Sequence, residues 1–548
     1  MAGSLQFSSK IERIAGWIIV QWGWRAALIA FIAGALSALA MPPFDFFPIL
    51  FVTMPILVWL IDGTTGPVDA GIVQRLMPAA RIGWLFGFGY FLAGLWWLGM
   101  AFLVDGDEFI WMLPFAVVAL PAGLALFWGL GAAIARIFWA DGWRRIIALS
   151  AGLSLVEYLR GTVLTGFPWN VIGLAAMPNP TMMQSASILG LYGITPLALL
   201  VFSTPGIFAA SSSMRPRRIG ILFLVALIIG SAHIGFGVWR LSGATDAVVE
   251  KTMIRVVQPG ISQAEKWQEG KAMEIFNRYI SLSANSGSKD ARPINDITHL
   301  IWPESAFPFV LTRNRTAIAA IAALLPSSTT LITGAMRTEP PITGQTTGYT
   351  FNSLYVINGE GEIIAAQDKV HLVPFGEYLP FQSLLESLGV QQLTRLRGGF
   401  TPGHQRRHIK LANAPPILPL ICYEVIFPGQ VRGTGEKPGW IVNLTNDAWY
   451  GDTPGPYQHL RQALIRSLEE GLPLVRSANT GISVIADSFG RVLGIIPLGQ
   501  VGVIDRPLPV ALESTVFSRF GNLPFLLILL IYFSLLTFGK RSRRLKLH

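Results

Sequence analysis

The sequence predicts a polytopic α-helical membrane domain joined to an α/β domain, and three observations carry that expectation. Hydrophobic residues make up 52% of the 548-residue chain and charged residues only 14%, below the charged share of an ordinary soluble domain. The apolar residues are unevenly spread: residues 1–240 are mostly apolar runs, 250–510 reads as mixed globular sequence, and 520–538 is apolar again. Within the mixed part, short β-rich runs alternate with helical stretches, the pattern of layered α/β domains. The expected division is a seven-span bundle over 1–245, an extramembrane domain over 246–512, and a last span with a basic tail over 513–548.

A hydrocarbon core about 30 Å thick needs about 20 mostly apolar helical residues. Segments near 24–41, 46–62, 81–103, 110–138, 144–164, 184–208, 218–240 and 519–539 approach that scale, giving about eight spans. The second is short and contains Pro55, while the fifth contains Glu157 and Arg160, three residues apart on one helix face. Ionisable residues at such depth face a protein interior or a cavity. They form either a structural ion pair or a substrate contact. The run Ala26–Ala40 lacks a convincing cleavage site and reads as part of a hydrophobic hairpin, not as a signal peptide.

Orientation follows from the lysine and arginine bias of short loops. With Lys10, Arg13 and Arg25 in the cytoplasm, the same side receives Arg75 and Arg81, Arg136 with Arg144 and Arg145, and Arg215 with Arg217 and Arg218. The tail, with Lys540, Arg541, Arg543, Arg544 and Lys546, falls there too, and Asp105, Asp107 and Glu108 fall opposite. Residues 246–512 are then expected on the outer face, the periplasm of a bacterium with two membranes. The net charge of +10 thus reflects membrane orientation, and nucleic acid is not an expected partner.

In the mixed region, MIRVVQ, THLIWP, TTLITGAM, FNSLYVIN, ILPLICY and WIVNLT read as strands, and 267–284, 314–325 and 456–471 as helices. The runs IVNL and LPLI imply strands covered on both faces. Four stretches hold the chemistry. WPESAFP puts Glu304 just past a strand, between prolines; AAQDKVHLVPFGEYLP puts Lys369, His371 and Glu377 in a loop shaped by proline and glycine. ICYEVIFP puts Cys422 and Glu424 at a strand end, and NLTNDAWYGDTPGP carries Asn446, Asp447, Trp449 and Tyr450 in another strand exit.

Taken singly, each has an ordinary explanation. Cys422, the only cysteine, could be a small buried hydrophobe, and His371 a structural ring. Together they supply a thiol, a carboxylate to take its proton and an ammonium to stabilise an oxyanion. One cysteine excludes an intramolecular disulfide framework, and no spacing points to a metal site, so neither metal nor cofactor is expected.

WPES, DKVHLVPFGEY and CYEVIFP, in that order, resemble the glutamate, lysine and cysteine motifs of the nitrilase superfamily. The apolar spans, EYLRG with GFPW, KW at 266–267, NLTNDAWYG and the final span with its basic tail resemble the apolipoprotein N-acyltransferase family, the membrane-integrated branch, across nearly the whole chain. The resemblance implies an αββα sandwich for the outer domain. It also implies acyl transfer by Glu304, Lys369 and Cys422, from a phospholipid such as phosphatidylethanolamine, through a thioester, to the α-amine of an S-diacylglyceryl-cysteine on an apolipoprotein.

Glu377 and Glu424 would orient Lys369 or share its proton network. Trp267, Tyr423, Trp449 and Tyr450 would line the lipid entrance or simply pack, and loops 374–403 or 450–456 would form a lid. A monomer is expected. The rivals are a membrane-tethered amidase using the same three residues, and a transporter or scaffold whose outer domain only binds.

Overall fold

The computed structural model describes residues 2–544 apart from 67–68, 105–108, 214–215, 267, 269, 285–290, 342–347, 388, 390–391, 395 and 397. For 2–9, 209–213, 216–218 and 539–544 only the backbone is described. The side chains of Asp105, Asp107, Glu108, Arg215, Arg217, Arg218, Trp267 and the basic tail therefore lie outside the described residues. The chain forms two compact units: one comprises 1–99, 112–243 and 516–548, the other 100–111 and 244–515.

The first unit is helical. Helices occupy Gly23–Ser37, Leu50–Asp62, Ile72–Leu95, Leu120–Ile137, Trp143–Thr162, Ala186–Ser203, Pro216–Ser242 and Leu523–Arg544, preceded by Ala2–Ile19, which the hydropathy reading missed. Five helical segments among the described residues are long and apolar enough to cross a membrane: Gly23–Ala40, Ile72–Leu103, Ile110–Ile137, Ala186–Phe208 and Ile219–Ser242. Phe47–Asp62 and Leu523–Phe538 are shorter apolar helices. Trp143–Thr162 has the length but carries Arg144, Arg145, Glu157 and Arg160.

Three of those charges, Arg145, Glu157 and Arg160, are paired inside the unit. Glu157 and Arg160 pair at 2.5 Å with both side chains fully buried; Glu157 also accepts the Trp128 indole N–H, and Arg160 donates to the carbonyls of Phe167 and Trp169. A pair so occupied is the structural one of the two readings. Close helix approach rests on small residues: a Cβ at Gly152 would lie 2.4 Å from the Gly131 carbonyl, and one at Gly83 would lie 2.5 Å from the Ala132 methyl.

The second unit is an αββα sandwich. Its strands are β1 (Val248–Gln258), β2 (His299–Ile301), β3 (Thr330–Glu339), β4 (Tyr349–Ile357), β5 (Ile363–Asp368), β6 (Ile409–Leu411), β7 (Ala414–Ile421), β8 (Trp440–Thr445), β9 (Leu474–Ala478), β10 (Ser483–Ala486), β11 (Val492–Ile496) and β12 (Gly502–Pro509). One sheet runs β12-β1-β2-β3-β4-β5 and the other β11-β10-β9-β8-β7-β6. In each, three central strands are parallel, β1-β2-β3 and β7-β8-β9. The six motifs read as strands lie in or against β1, β2, β3, β4, β7 and β8. Strands β5, β6 and β9 to β12 carry weaker apolar alternation, and their pairing partners supply the missing signal.

Between the sheets pack Ile254, Val256, Ile301 and Ile332 from one and Ile417, Ile421, Val442 and Val475 from the other, all buried. Helices Ala272–Ala284 and Arg315–Leu324 cover the outer face of the first sheet through Phe276, Tyr279 and Ile321. The helix expected over 267–284 begins only at Ala272, since a separate short turn ends at Lys266 and Gly270 follows with φ +86°.

His299 in β2 is buried in this core, edge-on to Trp440 of β8 at 6.0 Å. Burial holds its pKa down to about 4, against a pull upward from the Ala412 backbone. An unfolded chain protonates histidine near about 6.5. The stability from keeping His299 neutral is therefore complete above that pH and is lost as pH falls through the folded value. Thermal unfolding in detergent should show His299→Gln with a flatter loss of stability than the parent between these two pH values. An unchanged acid slope would refute this assignment.

Candidate active site

The direction of the strands brings the chemistry-bearing loops together. Strand β5 is antiparallel to β4, which is antiparallel to β3, so β5 points the same way as β2. Glu304, three residues past β2, and Lys369, one past β5, thus leave the same sheet edge. Cys422 follows β7 directly, and Asp447 lies two residues past β8.

Lys369 is buried with its Nζ 3.3 Å from Glu304 and 3.0 Å from Glu377. Asn352, in β4, bridges the same two carboxylates, donating at 2.8 Å to Glu304 and 2.9 Å to Glu377. Glu377 also accepts the Val373 N–H at 2.8 Å. Burial alone would depress the lysine. Glu377 and then Glu304 outweigh it and raise the group above the ordinary lysine range, so it stays an ammonium. Glu304 is set against β3 by glycine: a Cβ at Gly334 would lie 2.6 Å from the Glu304 Cα.

Cys422 turns out of β7 at φ +51°, in the left-handed region that a non-glycine residue adopts only where surroundings impose it. It is 6% exposed. Burial pushes the thiol up, Glu304 adds to this, and Lys369 opposes it. The resting group is a thiol, so attack requires a base.

Behind it lies a second buried group. Asp447 pairs with Arg476 of β9 at 2.7 Å and with His459 Nδ1 at 2.9 Å, and accepts from Thr445 at 2.9 Å. Against the effect of burial, Arg476 and His459 hold this carboxyl well below the usual range. His459 Nε2 contacts the Cys422 main-chain carbonyl at 3.3 Å; burial and Arg476 depress the ring, with Asp447 opposing. Cys422, Asp447 and His459 offer atoms within 4.8 Å of one another, a trio of metal-ligating types. The Arg476 guanidinium already supplies the positive charge that Asp447 faces, and the trio reads as a brace for the cysteine turn.

Glu424, two residues on, does not reach the Lys369 ammonium. Its carboxylate accepts from the backbone N–H of Ile421 at 2.8 Å, Val370 at 2.9 Å and His371 at 3.2 Å, and pairs with Arg406 at 2.6 Å. It thereby ties the cysteine turn to the lysine loop. Tyr423 is buried and packs edge-on against Phe427 at 5.0 Å, while His371 stacks on Phe427 at 3.8 Å. Trp449 and Tyr450 are half-buried in the turn Asp447–Tyr450; burial and then Cys422 raise the Tyr450 phenol well above its ordinary value.

Four members of the site went unread in the sequence: Asn352, Arg406, His459 and Arg476. None lies in a punctuated motif. The one available signal was in PYQHLRQAL, where Gln458 and His459 are polar side chains on what proves to be the buried side of helix Pro454–Glu470.

Glu424→Gln keeps the shape of the side chain but leaves Arg406 without its charge partner. The loss expected is about 3 kcal/mol, read as a lower midpoint of thermal unfolding in detergent. An undiminished midpoint would show that the tie between the loops carries no stability.

Residues 33–204 match the family described as Apolipoprotein N-acyltransferase N-terminal domain, and 255–514 match Carbon-nitrogen hydrolase. The apolipoprotein N-acyltransferase of Brucella suis biovar 1 (strain 1330) is 48% identical over 91% of this chain and 92% of its own. That of Rhodopseudomonas palustris is 45% identical over 97% of this chain and 98% of its own. Among solved structures, an amidase from Nesterenkonia sp. aligns with 48% of this chain and 93% of its own, at 18% identity and a TM-score of 0.33.

Proposed function

Because the chain belongs to the apolipoprotein N-acyltransferase family, we propose that it moves a fatty acyl chain from a phospholipid, through a thioester on Cys422, to the α-amine of a diacylglyceryl-cysteine at the amino terminus of a lipoprotein. The observation that supports this best is the shared buried cluster of Cys422, Lys369 and Glu304, in which the thiol feels both charges.

In the first half-reaction, Cys422 Sγ attacks the ester carbonyl carbon, Glu304 takes the thiol proton, and the oxyanion develops beside the Lys369 ammonium. Collapse breaks the ester C–O bond, and Glu304 returns the proton to the departing lysophospholipid alkoxide. In the second, the amine attacks the thioester, Glu304 takes an amine proton, and the C–S bond breaks to leave an amide and a thiolate, to which Glu304 returns the proton. Glu377 holds Lys369 in place, and Glu424 holds the two loops in register.

The donor is phosphatidylethanolamine or a close relative, and the protein works as a monomer. Trp267, Tyr423, Trp449 and Tyr450 edge the lipid entrance, with 374–403 or 450–456 as its lid. Its seven-span bundle over 1–245 and eighth span within 513–548 hold the catalytic domain, 246–512, on the outer face of the inner membrane, where both lipid-anchored substrates arrive by lateral diffusion.

A second reading has its own observation: Cys422, His459 and Asp447 form a cluster of the nucleophile, base and carboxylate types. The contact from His459 Nε2 to the cysteine carbonyl weighs against it. Mass spectrometry of the full-length protein in phosphatidylethanolamine vesicles decides between them. The parent should carry a hydroxylamine-sensitive acyl group on Cys422. Cys422→Ala should carry none, and Glu304→Gln should acylate roughly 10²–10⁴ times more slowly, with His459→Gln much less affected. An unmodified Cys422 at saturating donor refutes the thioester route, and a larger defect in His459→Gln than in Glu304→Gln reverses the assignment of the base.

A further inference from the structure

Four buried carboxylates stand at the strand exits of the site, Glu304, Glu377, Glu424 and Asp447, and they differ in what their oxygens already hold. Glu424 takes the Val370 and His371 N–H groups and Arg406 on Oε1, and the Ile421 N–H on Oε2. Asp447 takes Thr445 and His459 on Oδ1, and Arg476 on Oδ2. Glu377 takes Asn352 and Lys369 on Oε1, and the Val373 N–H on Oε2. On Glu304, Asn352 and Lys369 both meet Oε1, at 2.8 and 3.3 Å, and Oε2 meets no donor among the described residues. A carboxylate oxygen has two lone-pair positions, so Oε1 of Glu304 is filled and Oε2 is open to a proton. Lys369 lies nearer to Glu377 than to Glu304, and the shorter bond to Glu304 is that of Asn352.

We propose that Asn352 is a positioning residue for the acyl transfer: by holding Oε1 of Glu304 it leaves Oε2 as the atom that takes the proton from Cys422, and by the same amide it keeps Glu377 occupied with Lys369. The inference rests on Glu304 as the base. The amide has one possible direction here, because turning it over would set Oδ1 against two anions at hydrogen-bond distance. As it stands, Oδ1 is buried without a donor, a cost that the two bonds from Nδ2 offset. The backbone fixes the amide beside the lysine. The Asn352 carbonyl accepts the Lys369 N–H at 2.8 Å, and Ser353, next along β4, is in register with Asp368 of β5. In the reaction the proton passes from Sγ to Oε2 and from Oε2 to the departing alkoxide. A carboxylic acid protonated on Oε2 keeps Oε1 as a carbonyl acceptor, so the same two donors hold Glu304 before and after each transfer.

The test is a double-mutant cycle on the rate of acyl-thioester formation on Cys422, for the full-length protein in phosphatidylethanolamine vesicles. Asn352→Leu, of similar size and without donors, should lower the maximal rate about 10²-fold, the cost of a misplaced catalytic group, and leave the half-saturating donor concentration unchanged. Glu304→Gln removes the base, so adding Asn352→Leu to it should slow the reaction little further. Added to Glu377→Gln, Asn352→Leu should keep most of its own defect. Asn352→Ser, with one hydroxyl donor, takes its place in the cycle should the leucine protein fold poorly, and should lie between the parent and the leucine variant. Losses from Asn352→Leu and Glu304→Gln that multiply, or a defect confined to the half-saturating concentration, overturn the proposal in favour of a merely structural amide. A defect that vanishes in Glu377→Gln assigns the amide to the hold on Lys369 and overturns it too. A Glu304→Gln protein as fast as the parent removes the base on which the inference rests, and a parent that forms no acyl-Cys422 brings down the acyl-transfer reading and this inference together.

Discussion

The carboxylate of Glu424 is the interaction on which the geometry of the site depends. It is 3% exposed and meets three backbone N–H groups and one guanidinium, from residues 370, 371, 406 and 421. Two of those residues belong to the loop that leaves β5 in one sheet, and one belongs to the end of β7 in the other. Charge-assisted bonds are short and directional, and in a water-poor interior they are costly to leave unmade. One side chain therefore cross-links the two sheets where the cysteine and the lysine must stand together. The positive φ of Cys422 needs such surroundings, since a left-handed turn at a non-glycine residue persists only where neighbours over-determine it.

Around that tie, charge is distributed unevenly. Lys369 has two carboxylates and an amide bridge to hold it, so its position and its charge are both settled before any substrate arrives. Burial works in the opposite direction on Cys422 and keeps it a neutral thiol. In the proposed reaction an oxyanion forming there would meet a preorganised cation in water-poor surroundings, the setting in which electrostatic stabilisation is strongest. The same dryness would suit the proposed thioester, which has to wait for an amine in place of water. The helical unit handles its own buried charges by other means: Glu157 and Arg160 satisfy each other, an indole N–H and two carbonyls, so that the one strongly charged helix can be buried among apolar neighbours.

Much of this was legible in the residues. The uneven apolar content separated a helical membrane part from an α/β part, and each of the eight apolar segments falls on helix, although three lack the length or the apolarity of a clear span. The strand exits carrying Glu304, Lys369, Cys422 and Asp447 were marked by proline, glycine and abrupt loss of β-branched residues. Glu377 meets Lys369 in the fold, whereas Glu424 meets Val370, His371, Ile421 and Arg406: its two-residue spacing from Cys422 says where it sits along the chain but not which partners fold toward it.

What the sequence by itself determined is therefore local: which stretches are apolar enough to be buried, which change period from strand to helix, and which carry a nucleophile, an acid or a cation at a strand end. Convergence belonged to the tertiary structure. Asn352, Arg406, His459 and Arg476 reach the site from strands, loops and a helix between 17 and 48 residues from their partners. Nothing in chain order encodes that meeting. Strand direction and sheet register do, because they determine which edge each loop leaves and which buried polar atoms must find one another there.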